Sequence, residues 1–148
     1  MDRLRIGVRS SSAGVLVFVL FIFATFAYKV IDEGWLVPRT PLELNGEPPL
    51  LFFNRHKGCE CSMAVYRAAK DQVNNWSDEA RQGIPVIAID LDRRPDLGAQ
   101  YSVSHAPRML LLDETESVFY VQDYIETDAQ PLNLQVFEEE IMKMLDKK

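Results

Sequence analysis

Residues 50–66 read Leu50-Leu51-Phe52-Phe53-Asn54-Arg55-His56-Lys57-Gly58-Cys59-Glu60-Cys61-Ser62-Met63-Ala64-Val65-Tyr66. The first five are a short apolar run with two aromatics, the pattern of a strand buried on both faces. Apolar points at Met63, Val65, Tyr66 and Ala69 are compatible with a helix. Between the two lies a basic, glycine-containing turn that holds both cysteines of the protein. Cysteines placed where a buried strand hands over to a helix sit at the helix N-terminus, where the dipole favours a thiolate. Arg55 and Lys57 add positive charge beside them, and Glu60 between the sulfurs acts in the opposite sense. This is the composition of a reactive thiol site.

Downstream, Val65, Tyr66, Ala69, Val73 and Trp76 recur at helical spacing, with Asn74-Asn75 and Ser77-Asp78 as interruptions before about Gln82. Ile84 to Asp90 is a β-branched run that predicts a second buried strand, parallel to the first across the helical crossover. Arg94 to Tyr101 predicts a short helix with Pro95 in its first turn. A third strand, Met109 to Leu112, is entered directly from Pro107-Arg108, and Ser117 to Val121 makes a hairpin with it. Pro131 to Leu145 predicts a terminal helix whose apolar face is Leu134, Phe137, Ile141, Met144 and Leu145.

Upstream, Ala13 to Tyr28 is uncharged and mostly Val, Leu, Phe and Ile, and Val30 and Ile31 extend it past Lys29. Its length is at the lower edge of what spans a bilayer. Arg3, Arg5 and Arg9 precede it and Asp32 and Glu33 follow, so the positive-inside rule places the N-terminus in the cytoplasm and the folded part outside. An uncleaved anchor fits this length. A cleaved signal segment, with Thr25 and Ala27 as a weak small-residue pair, is the alternative. Residues 33–49 hold four prolines and two glycines; Trp35 suits a membrane interface, and Leu42-Glu43-Leu44 before Asn45-Gly46 predicts a short edge strand and turn. The expected layout is a cytoplasmic 1–12, a membrane segment 13–31, a tether 32–41 and a domain 42–148. Beyond Ile31 the chain holds 12 Lys and Arg against 21 Asp and Glu. Such acidity disfavours nucleic acid and anionic lipid surfaces as partners.

The order of strand, cysteine turn, helix, strand, short helix, proline-led strand, hairpin and terminal helix resembles the thioredoxin-like family, an α/β fold with a central mixed sheet and flanking helices. The resemblance is carried by Leu50–Phe53 running into Gly58-Cys59-Glu60-Cys61, by Ile84–Asp90, and by Tyr101–Pro107 leading into Arg108–Leu112. With the apolar segment ahead of it, the chain is similar to membrane-anchored extracytoplasmic members of that family. The resemblance implies thiol–disulfide oxidoreductase activity on protein disulfides, a redox partner protein and no bound cofactor. It also implies that Pro107 is a cis-proline which, with Ala106 and Gly58, shapes the substrate groove.

The family motif is Cys-x-x-Cys, whereas this chain has Cys59-Glu60-Cys61. Aligned without a gap, Gly58 takes the place of the usual exposed nucleophile and Cys61 that of the buried partner, so Cys59 is an attacking thiol displaced by one residue. Inside a helix, residues i and i+2 point to nearly opposite sides, and the pair meets only through local unwinding or an extended turn. A disulfide closed over one intervening residue is strained and easily reduced, which suits an oxidant or isomerase and not a structural cross-link. The chain's two histidines, His56 and His105, fall in loops that this fold brings together, where with Lys57 they would tune the thiol pKa. The alternatives are binding or delivery of copper as Cu(I) or of zinc by the same set (Cys59, Cys61, His56, His105), and a catalytically inert interaction module on this fold with incidental cysteines.

Overall fold

The computed structural model describes residues 11–32, 41–42, 44 and 46–147. Along them run α1 (Ser11–Asp32), β1 (Leu50–Asn54), α2 (Glu60–Asn75), β2 (Val86–Asp90), α3 (Pro95–Gln100), β3 (Arg108–Leu112), β4 (Val118–Val121) and α4 (Leu134–Leu145). The N-terminal arginines, most of the expected tether with Trp35, and Glu43 and Asn45 lie outside the described residues.

α1 forms a unit separate from the one that holds the strands. Its Gly14–Ile31 segment is 18 residues of mean hydropathy 2.3 with none buried, long and apolar enough to cross a membrane. A signal sequence has the same properties.

In the second unit the sheet order is β2-β1-β3-β4. β1 and β2 are parallel, with Leu50 opposite Val86 and Asn54 opposite Asp90, and α2 is the crossover between them. β3 runs antiparallel to both β1 and β4. β1 is therefore an interior strand with an apolar layer on each face, which explains its unbroken hydrophobic run. Leu50 and Phe52 face a layer containing Ala69 and Trp76 with Phe137, Ile141 and Met144 of α4. Leu51 and Phe53 face the opposite layer, with Ile89, Leu91, Leu97, Leu110 and Leu112. This is the thioredoxin-like fold.

Boundaries have local reasons, and α2 ends at the first of the two expected interruptions. α2 stops at Asn75 because Trp76 turns to an extended backbone, buries its ring and donates its indole N–H to Glu138 Oε1 at 2.8 Å. Residues 77–83 are turns, closed by positive φ at Gln82 and Gly83. α4 begins at Leu134 and not Pro131, since the Asn133 side chain accepts from the Val136 N–H and caps it there. Leu42 and Leu44 are not strand residues; both pack against the layer that contains Phe53. In α3, a Cβ on Gly98 would lie 2.8 Å from both Leu91 Cδ2 and the Val103 carbonyl oxygen, so only glycine lets this short helix close against the segments on either side of it.

Candidate redox site

β1 ends at Asn54, and its side chain donates to the Tyr66 carbonyl at 3.0 Å, tying the strand end to the second turn of α2. The intervening loop is held from below by the turn that follows β2. Asp92 Oδ2 accepts the backbone N–H groups of His56 at 3.1 Å and Lys57 at 3.0 Å, and its Oδ1 pairs with Arg55 at 3.4 Å. Arg55 also donates to the Ser104 carbonyl at 3.4 Å, which joins the loop before the cysteines to the one before Pro107. The Ala106–Pro107 bond is cis and both residues are buried, whereas His105 is exposed.

Cys59 is the N-cap of α2, with φ −70° and ψ 163°, and its carbonyl accepts the first helical bond from Met63 N–H at 2.9 Å. Cys61 lies in the first turn of the same helix. Because Cys59 stands outside the helix in extended conformation, the rule that i and i+2 diverge does not apply to the pair. The two Sγ atoms lie 2.6 Å apart, and Cys59 Sγ also lies 3.1 Å from Ser62 Oγ. Both cysteines are free thiols and both are exposed. Hydrogen bonds from Cys61, then from the side chain and backbone of Ser62, lower the Cys59 pKa to about 7. The helix N-terminus favours the same charge.

The expected tuning residues make contacts of their own around the loop. His56 Nδ1 lies 2.6 Å from Asp90 Oδ2 and 3.5 Å from Asp92 Oδ2. His105 Nδ1 contacts Ser104 Oγ at 3.4 Å. Arg55 is committed to Asp92 and Ser104, and Lys57 donates its backbone N–H to Asp92. Glu60 pairs with Arg67 at 3.0 Å on the helix surface. Among the described residues, the group of His, Cys, Asp and Glu side chains placed for a metal ion is His56, Asp90 and Asp92, with ligand atoms within 4.8 Å of one another. The set of Cys59, Cys61, His56 and His105 is not gathered in that way. Gly58 packs closely on α2: a Cβ there would sit 3.3 Å from Ser62 Cβ and from Tyr66 Cε2.

Ser62 and Asp92 were not singled out by sequence. Ser62 follows Cys59 by three residues, the spacing of a capping box, and that signal becomes readable once Cys59 is taken as the cap. Nothing in the sequence pairs Asp92 with residues 55–57.

No protein-family model and no curated protein matches the chain. Solved structures similar to it include a malarial protein (19% identity, 67% of this chain and 98% of that one, TM-score 0.45). Another is thioredoxin 1 from the thermophilic eubacterium Thermosipho africanus TCF52B (18% identity, 67% and 96%, TM-score 0.47). A third is a disulphide isomerase from Xylella fastidiosa Temecula1 (16% identity, 98% and 99%, TM-score 0.43). What makes the fold thioredoxin-like is the chain's own topology: the β2-β1-β3-β4 order, the α2 crossover with the cysteine pair at its N-cap, and β3 entered from Pro107.

Proposed function

We propose that this protein is a thiol–disulfide oxidoreductase acting on protein disulfides through Cys59 and Cys61, held at a membrane by α1 with its folded domain on the extracytoplasmic side. The observation that carries the reading is the contact of two exposed thiols at the N-terminus of α2, one of them with its pKa lowered to about 7. In the reducing direction the Cys59 thiolate attacks one sulfur of a substrate disulfide, forming a mixed disulfide and expelling the other sulfur as thiolate. Cys61, once deprotonated, then attacks Cys59 Sγ, the mixed disulfide breaks, and the second substrate sulfur leaves as thiolate. Two electrons pass to the substrate and a Cys59–Cys61 disulfide remains, to be reduced by a partner protein. The oxidising direction is the reverse.

Pro107, Ala106 and Gly58 are the proposed walls of the substrate groove, since Arg55 bridges the cysteine loop to Ser104 just before them. The sidedness follows from Arg3, Arg5 and Arg9 ahead of the apolar segment and the acids after it. The test uses the full chain in detergent. Thiol trapping and mass analysis read the two-hydrogen difference between reduced and oxidised protein, and turnover is measured on a disulfide-bonded protein substrate. Loss of turnover in Cys59→Ser and Cys61→Ser is expected. Full reductase and isomerase activity in both variants would end the proposal.

A further inference from the structure

The two sulfurs are not equivalent, and the difference lies in a residue outside the cysteine motif. Cys59 Sγ has two side-chain neighbours, Cys61 Sγ in direct contact with it and Ser62 Oγ at 3.1 Å, within hydrogen-bond distance. The Ser62 hydroxyl reaches Cys59 because the two residues occupy the cap and third positions of α2, one turn apart, and their side chains meet without forming a side-chain cap on the backbone. Gly58 leaves the room that this placement needs, since a Cβ there would come within 3.3 Å of Ser62 Cβ.

We propose that Ser62 is a positioning residue that selects Cys59 as the attacking sulfur, by donating its hydroxyl hydrogen to the Cys59 thiolate. A thiolate on Cys59 accepts two side-chain hydrogen bonds, from Ser62 O–H and Cys61 S–H. A thiolate on Cys61 would accept one, from Cys59 S–H, and would leave the Ser62 hydroxyl facing a thiol. The charge therefore settles on Cys59, the sulfur with the additional polar partner. When Cys59 becomes part of a mixed disulfide it loses its charge and the Ser62 bond weakens, so Ser62 acts on the attacking step and not on the resolving one. The inference deepens the redox reading, and its consequence for turnover rests on that reading; its test does not, because alkylation by a small reagent needs no protein substrate.

The experiment is single-hit alkylation of the full reduced chain with iodoacetamide, from pH 5.5 to 9, with peptide mapping to assign the modified sulfur. Wild type, Ser62→Ala and Ser62→Thr are compared. In wild type Cys59 is modified first, with a midpoint near pH 7. Loss of one charge-assisted hydrogen bond in Ser62→Ala removes roughly tenfold in thiolate stability and carries the midpoint toward about 8. The less stabilised thiolate is intrinsically more nucleophilic by about threefold, so the net rate at pH 6 falls roughly threefold while the rate at pH 9 rises. Modification also spreads to Cys61. Ser62→Thr keeps the hydroxyl and the wild-type profile. First labelling of Cys61 in wild type would overturn the inference, as would a Ser62→Ala protein with an unmoved midpoint and unchanged site preference. A matching profile in Ser62→Thr and Ser62→Ala would overturn it too, since the hydroxyl would then be irrelevant. If the redox reading alone fails, turnover is absent while the alkylation profiles still separate the variants.

Discussion

Replacing Asp92 with alanine tests whether the loop before the cysteines is held by one carboxylate. Asp92 is 13% exposed at its side chain and receives two backbone N–H bonds, from His56 and Lys57, together with the Arg55 guanidinium. A hydrogen bond to a charged acceptor contributes about 1.5–3 kcal/mol when buried. Both backbone donors belong to exposed residues, so water replaces part of each bond on mutation, and about 0.5–1 kcal/mol apiece is the sounder figure. The partly exposed ion pair with Arg55 adds at most about 1 kcal/mol. The sum is about 2 kcal/mol for Asp92→Ala, read as a shift of the urea midpoint at constant slope. Glu60→Ala serves as the control: its pair with Arg67 joins two largely exposed side chains, and its loss should cost less than about 0.5 kcal/mol. A second effect accompanies the first. With the loop released from the turn after β2, Cys59 no longer keeps a fixed place over Ser62, and its alkylation rate at pH 7 should fall. An Asp92→Ala protein as stable as Glu60→Ala would refute the clasp. So would a destabilised one whose Cys59 reacts as in wild type, because the clasp would then be irrelevant to the site.

Cys61→Ala removes the group that most lowers the Cys59 pKa. The alkylation midpoint should therefore rise from about 7 toward the ordinary thiol value, with slower modification at neutral pH; an unmoved midpoint contradicts the pairing. Gly58→Cys introduces a sulfur two positions from Cys61's neighbour Glu60 and restores the two-residue spacing with Cys61. It should destabilise the domain by about 1 kcal/mol through crowding against Ser62 and Tyr66, and lower the reduction potential against a glutathione couple by closing a less strained ring; a raised potential contradicts the ring argument. Phe137→Ala, at 0% exposure with Trp76 and Tyr120 rings against it, should cost about 3–5 kcal/mol in chemical denaturation. A reporter fused after Lys148 should be exported and the chain retained in carbonate-washed membranes; recovery of a soluble form cut near Tyr28 favours the signal reading.

The elements that sequence revealed are those whose cause is local or periodic. Leu50 to Phe53 reads as a strand covered on both faces because an interior strand must be apolar at every position, and the parity of Leu50 and Phe52 against Leu51 and Phe53 matches the two layers. The apolar stripe of α4 announced itself at helical spacing, and Phe137, Ile141 and Met144 are its buried residues. Ends were less legible: Asn74-Asn75 marked the break in α2, but the seating of Trp76 on Glu138, a partner 62 residues away, was not readable. Asp92 belongs to the same class. Its carboxylate is one of 22 acids in the chain, and only the parallel pairing of β1 with β2 sets it beneath residues 55–57.

The cysteine pair shows how a single boundary decides the chemistry. Had α2 begun one turn earlier, Cys59 and Cys61 would both carry helical dihedrals and point to opposite sides. Because the helix begins at Glu60, Cys59 is a cap with an extended backbone, and its sulfur folds back over the first turn to meet both Cys61 and Ser62. Sequence periodicity locates a helix start only to within a residue or two, and here that uncertainty spans the difference between two divergent thiols and a touching pair. The histidines illustrate the opposite case. Their proximity in sequence to the cysteine and proline loops is real, but the His56 ring lies against Asp90 Oδ2 at 2.6 Å and Asp92 Oδ2 at 3.5 Å. The groups that lower the Cys59 pKa are uncharged, the Cys61 thiol, the Ser62 hydroxyl and the backbone of both residues, and they act at contact distance, where added salt cannot screen them. Reactivity set by such neighbours should be nearly independent of ionic strength between about 0.01 and 1 M. A Cys59 midpoint that rises steeply across that range would show that the cations Arg55 and Lys57 govern the thiolate after all.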